Sequence, residues 1–155
     1  MHSLIKHIPS YIGNILLFFF IILTCTNAIS DQSVEEIINE RKALFSKNYK
    51  TAKRVQALSN KAEFEDAKDL MLEMSSNYLK LLNLFPDNTK EGFKTEALPT
   101  VWSDKEGFNM LMKKSSTDML NLAKIIEDSE NINADIKKMM WANCNACHSK
   151  YRAPH

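Results

Sequence analysis

The chain has 155 residues, 45% of them hydrophobic and 25% charged, with a formal net charge of +1. That length supports one domain with a core of its own, and the balanced charge excludes a polyelectrolyte partner such as nucleic acid. There are three glycines and four prolines; folds built from hairpins need more of both in their turns, so the composition favours long helices.

The first segment, "MHSLIKHIPSYIGNILLFFFIILTCTNAIS", places Lys6 ahead of an apolar run at residues 15–23 and ends in small polar residues. A basic start, a short apolar stretch and small residues before a cut are the layout of a secretory signal. The run falls short of the roughly 20 residues a membrane span needs. The expectation is a cleaved signal peptide at residues 1–30, cut after Ala28 or Ser30, with an uncleaved anchor as the alternative. Thr24 is larger than the residue usual before a lipid-modified cysteine, which argues against lipidation at Cys25. Cleavage removes Cys25, His2 and His7, so residues 31–155 keep two cysteines, Cys144 and Cys147, and two histidines, His148 and His155.

Val34 to about Leu58 carries apolar Val34, Ile37, Ile38, Leu44 and Phe45 at helical spacing, with Arg41 on the same stripe. Ser33 and Glu36 form a capping box at its start. A second helix runs from Glu63 to about Asn83, with Met71, Met74, Tyr78 and Leu81 on its apolar face. The pattern then breaks at Pro86, Gly92 and Pro99. Ser103 and Glu106 read as a second capping box, opening a third helix to about Asp128. A fourth starts at Asn133 or a neighbour and runs to about Tyr151. Four helices and no strand signal predict an all-α, antiparallel, up-down-up-down four-helix bundle. The link between helices two and three is about 20 residues long, and loops of that length usually cover or bind something. Trp102 and Thr95 in that link read as packing residues. The basic run "SKNYKTAKR" reads as a solvated helix face.

The ending "CNACHSKYRAPH" carries the chemistry. On a helix Cys144 and Cys147 lie one turn apart and His148 follows Cys144 by four, so all three face one planar ligand. Each thiol would add to one vinyl group of a porphyrin while the imidazole binds the iron. Cys-x-x-Cys-His is the signature of c-type haem attachment, and histidine is a standard axial ligand. A thioredoxin-like pair sits instead at a helix start after a strand. A zinc site needs a fourth ligand and usually a second pair; His155, at the chain's end, could supply a nitrogen. A plain Cys144–Cys147 disulfide in a non-haem binding module leaves His148 without a role.

From Val34 onward the chain resembles the cytochrome c′ family, the four-helix-bundle (class II) branch of c-type cytochromes. "CNACHSKYR" fits the family's Cys-x-x-Cys-His-x-x-Tyr-Arg ending. "VEEIINERKALF" resembles its first helix, "LFPDNTKEG" the end of its second, and "ALPTVWSDKEGF" the approach to its third. The resemblance implies one covalent haem c on Cys144 and Cys147 with His148 as the axial iron ligand. It places Arg41 against a haem propionate, Phe45 and Phe85 in the distal pocket and Arg152 in the proximal pocket. For Arg152 a last-turn arginine complementing the helix dipole is the alternative. Six-coordinate relatives fill the sixth position with a first-helix methionine, whereas residues 31–70 here hold neither Met nor His. The implied protein is a periplasmic, non-enzymatic haem protein with a five-coordinate iron and an apolar vacant side. It would carry electrons to redox partner proteins, bind nitric oxide or carbon monoxide, and form a homodimer. The alternative is a six-coordinate electron carrier using Met71, Met74 or another methionine.

Overall fold

A computed structural model describes residues 32–154, so the signal-peptide reading, Cys25 and His155 lie outside the described residues. Helix α1 spans Val34–Ser59 and α2 spans Phe64–Leu81. A single 3-10 turn, Asp87–Thr89, interrupts the long link that follows. The short α3 (Thr100–Ser103) leads into α4 (Lys105–Ile125). The last rod is composite: α5 (Ile132–Ile136), a π-helical turn (Lys137–Trp141) and α6 (Ala142–Tyr151) follow one another without a break. The result is the expected four-rod bundle, with no strand among the described residues.

The first capping box forms as expected. Glu36 N donates to Ser33 Oγ at 3.2 Å and Ser33 N donates to Glu36 Oε2 at 2.8 Å. The second does not. Ser103 closes α3 instead, and Asp104 caps α4 by accepting from the Gly107 amide. A carboxylate at the N-cap does what the serine was expected to do and adds a favourable charge at the helix start. The last rod starts at Asn131, whose Oδ1 accepts from Ala134 N at 3.1 Å.

α2 packs along both α1 and α4, and α4 packs against the last rod. α1 meets that rod chiefly through α5, at the far end. The half of the bundle near α5 is filled by fully buried Val55, Ala67, Met71, Leu122, Ile126 and Ile136. At the other end, where α1 and α4 begin and α6 finishes, the α1–α6 side stays open.

Candidate functional site

That open side is a cavity of about 570 Å³, within the roughly 300–1,000 Å³ usual for cofactor sites. Phe45 and Tyr49 from α1, Phe85 from the long link, Phe108 from α4 and Cys147, His148 and Arg152 from the C-terminal segment border it. A second cavity of about 120 Å³ adjoins it, sharing Phe45, Tyr49, Cys147 and His148 and adding Cys144, Tyr78 and Met112. Phe85 stands edge-on to Phe45 (centroids 6.4 Å) and to Phe108 (4.7 Å), and Phe108 continues edge-on to Tyr151 (5.3 Å). These aromatic contacts fix the walls of the larger cavity.

The two thiols are free, Cys147 buried and Cys144 half-buried. Burial pushes the Cys147 thiol up to about 11, with neighbouring Cys144 adding to the shift and Arg152 opposing it. Burial also raises Cys144, against a hydrogen bond with Tyr78. Redox-active Cys-x-x-Cys pairs need a lowered thiol pKa; this pair has the reverse.

Arg41 is 2% exposed, and its four terminal N–H groups are spent on the long link. Nη1 donates to Leu84 O (3.2 Å) and Thr89 Oγ1 (2.9 Å), and Nη2 to Thr89 O (2.9 Å) and Thr95 Oγ1 (2.6 Å). Its guanidinium lies 4.6 Å from the Phe85 centroid and 5.7 Å from that of Trp102, two cation–π contacts. Burial lowers its pKa to about 10, so it stays charged at neutral pH. Thr95 is therefore more than a packing residue: it is one of the acceptors that tie the link to α1. Trp102 does pack, and its Nε1 also donates to Pro86 O at 3.2 Å. Nothing in the sequence marked Thr89 and Thr95 as Arg41's partners, because the contact closes over 48 and 54 residues.

Arg152 lies beyond the end of α6. Its backbone is extended (φ −120°, ψ 138°) and bridges to Ala97. Leu98 N donates to Tyr151 O at 3.0 Å, and Ala153 N to Glu96 O at 2.8 Å. The last-turn, helix-dipole alternative for Arg152 is thereby corrected: a strand-like pairing with the long link holds it at the cavity. Its Nε is buried without a hydrogen-bond partner. Asp104 secures the same end, accepting from Tyr151 OH at 2.6 Å and pairing with Lys150. Gly107 makes room for this junction; a Cβ there would stand 2.5 Å from the Asp104 carboxylate and 2.8 Å from Tyr151 OH.

Among the described methionines, Met112 alone borders either cavity; Met71 and Met74 lie in the core.

A sequence model of the family described as cytochrome c′ matches residues 36–152. The chain belongs to the cytochrome c′ family. A cytochrome c′ of Rhodopseudomonas palustris is 31% identical over 121 residues, covering 76% of this chain and 82% of the relative. One from Rhodospirillum rubrum is 28% identical over 134 residues, covering 84% and 91%. The solved structure of a cytochrome c′ from R. palustris superposes with a TM-score of 0.70 at 28% identity, over 79% of this chain and 98% of that one.

Cytochromes c′ bind covalently attached haem c, and the residues of this chain fit that group. A haem tethered to Cys144 and Cys147 must reach both cavities, since Cys144 borders only the smaller one and most of the volume lies in the larger. His148 borders both. The walls are mainly aromatic and aliphatic, as a porphyrin requires.

Proposed function

We propose that this chain is an exported cytochrome c′ whose haem iron is five-coordinate, serving in electron transfer and in reversible binding of nitric oxide or carbon monoxide rather than in turnover catalysis. The observation that carries this reading is the α1 wall. It presents Phe45 to the cavity, and α1 contains no methionine or histidine. Bound haem c supplies a redox-active iron. His148 would hold it, and Cys147, buried, and Cys144, half-buried, would hold the ring. Phe45 and Phe85 crowd the opposite side, admitting small uncharged ligands and disfavouring anions through desolvation. Arg41 acts on a propionate by its buried positive charge, its terminal N–H groups being engaged already. Arg152 lies close enough to oppose the rise in the Cys147 thiol pKa and supplies positive charge on the proximal side.

No distal acid or base on α1 suits peroxidase-like chemistry. Export rests on the layout of residues 1–30, and the homodimer and redox partners on family membership. A ferrous cytochrome c′ variant from Alcaligenes xylosoxidans has been solved with NO bound. At 16% identity that likeness carries the fold alone, and the case for NO here rests on this chain's own distal residues.

Met112 gives the six-coordinate alternative a specific candidate, since it borders the smaller cavity. Optical spectra of the purified holoprotein decide. A high-spin ferric spectrum and ready CO and NO binding by the ferrous form are expected. A low-spin ferric spectrum with a methionine-to-iron band would overturn the reading.

A further inference from the structure

Asn48 lies one helical turn beyond Phe45 on α1, among the apolar neighbours Ala52 and Val55, and is 3% exposed. Its Oδ1 accepts from Asn77 Nδ2 on α2 at 2.9 Å. Its own Nδ2 is buried with no hydrogen-bond partner. An unmatched buried donor is destabilising. A bridge between helices alone does not call for one: Ser75 and Ser116 join α2 to α4 through hydroxyls 2.8 Å apart. With Oδ1 facing Asn77, the atom of Asn48 left over is Nδ2, a donor.

Asn48 is on the wall of the smaller cavity, which Cys144, Cys147 and His148 also border. The other polar side chains there are occupied or face water. Ser115 Oγ donates to Leu111 O at 2.8 Å, Asn143 Nδ2 to Asp118 Oδ2 at 2.8 Å and Met139 O at 2.6 Å, and Tyr78 engages Cys144. Asn145 is exposed. The spare donor of that wall therefore belongs to Asn48. A haem attached at Cys144 would enter this compartment, where α1 contributes Asn48 to the wall and α6 contributes His148.

We propose that Asn48 is a ligand-discriminating residue of the haem's open face, its amide N–H donating to the outer atom of a diatomic ligand held at the iron. Phe45 then limits ligand size, while Asn48 favours ligands that gather negative charge on their outer atom. This inference rests on the open-iron reading above.

The test is the C–O stretch of the ferrous carbonyl, measured by infrared spectroscopy on wild-type holoprotein and on Asn48→Leu/Asn77→Leu. The double variant removes both amides together and leaves no orphan. A hydrogen bond to the carbonyl oxygen draws electron density into CO and weakens its bond. The wild type is expected to show the lower frequency and the slower CO release. CO bound with the same stretch and release rate in both proteins overturns this proposal and leaves the open iron standing. No CO binding by the wild type overturns both. Should the leucine pair fail to fold, Asn48→Val/Asn77→Val gives the same comparison with smaller apolar side chains that cannot bind iron.

Discussion

The two halves of this bundle solve opposite problems with the same helices. Near α5 the space between rods is filled by Val55, Met71, Leu122, Ile126 and Ile136, all essentially inaccessible to solvent. Near the end of α6 it is left unfilled, and the walls are held apart by other means: Arg41 tying the long link to α1, the aromatic contacts running through Phe85, and the Asp104–Tyr151 junction. One half is stabilised by what it contains, the other by a frame around what it is to receive. A framed cavity needs long-range polar contacts, because apolar packing alone would close it.

Mutations in the two halves should therefore fail differently. Leu122→Ala removes a fully buried side chain from the filled half and is expected to cost about 2–5 kcal/mol in denaturant unfolding, with the haem spectrum unchanged. A shifted haem spectrum would break the distinction between the halves. Arg41→Ala attacks the frame. It strands the buried carbonyls of Leu84 and Thr89, at about 1–3 kcal/mol for each. Here the haem spectrum should change along with stability. Arg41→Lys should rescue little, since one ammonium cannot replace a planar fork reaching four acceptors.

A smaller, pH-dependent effect sharpens the comparison. The hydrogen bond from Lys150, and then that from Tyr151, hold the Asp104 carboxyl below its ordinary value. A lowered carboxylate contributes stability that is present above the ordinary Asp range and is lost as pH falls through the lowered value, below about pH 4. Acid should thus speed hydrogen exchange at the Leu98 and Ala153 amides before those of the filled half, and Asp104→Asn should flatten that dependence. The smallest effect concerns the α1–α2 turn. Ala62 adopts φ 59°, a left-handed conformation that costs a side-chain-bearing residue about 1–2 kcal/mol. Ala62→Gly should raise the melting temperature slightly and leave the haem spectrum untouched.

The filled half was the more legible in the sequence. Apolar residues at helical spacing and the Ser33–Glu36 box mark α1 and α2 to within two residues of their ends, because both signals are local. The grouping of Cys144, Cys147 and His148 was equally legible, since it follows from spacing along one helix, and all three border the smaller cavity. The frame was not. Asp104 displaced Ser103 as the cap because the Tyr151 hydroxyl and Lys150, more than 40 residues away, also engage its carboxylate. The π-helical turn ahead of the haem motif left no local mark. Asn48 was misread: the run "SKNYKTAKR" that holds it was expected to be a solvated face, whereas Asn48, Thr51 and Ala52 are buried, and Asn48's contact is with Asn77, 29 residues on.

The central claim is that the frame leaves the iron open on the α1 side. Electron paramagnetic resonance of the ferric holoprotein, beside Met112→Leu, tests it most directly. A high-spin signal common to both proteins is predicted. A low-spin wild type that turns high-spin in Met112→Leu would contradict the account and identify Met112 as the sixth ligand.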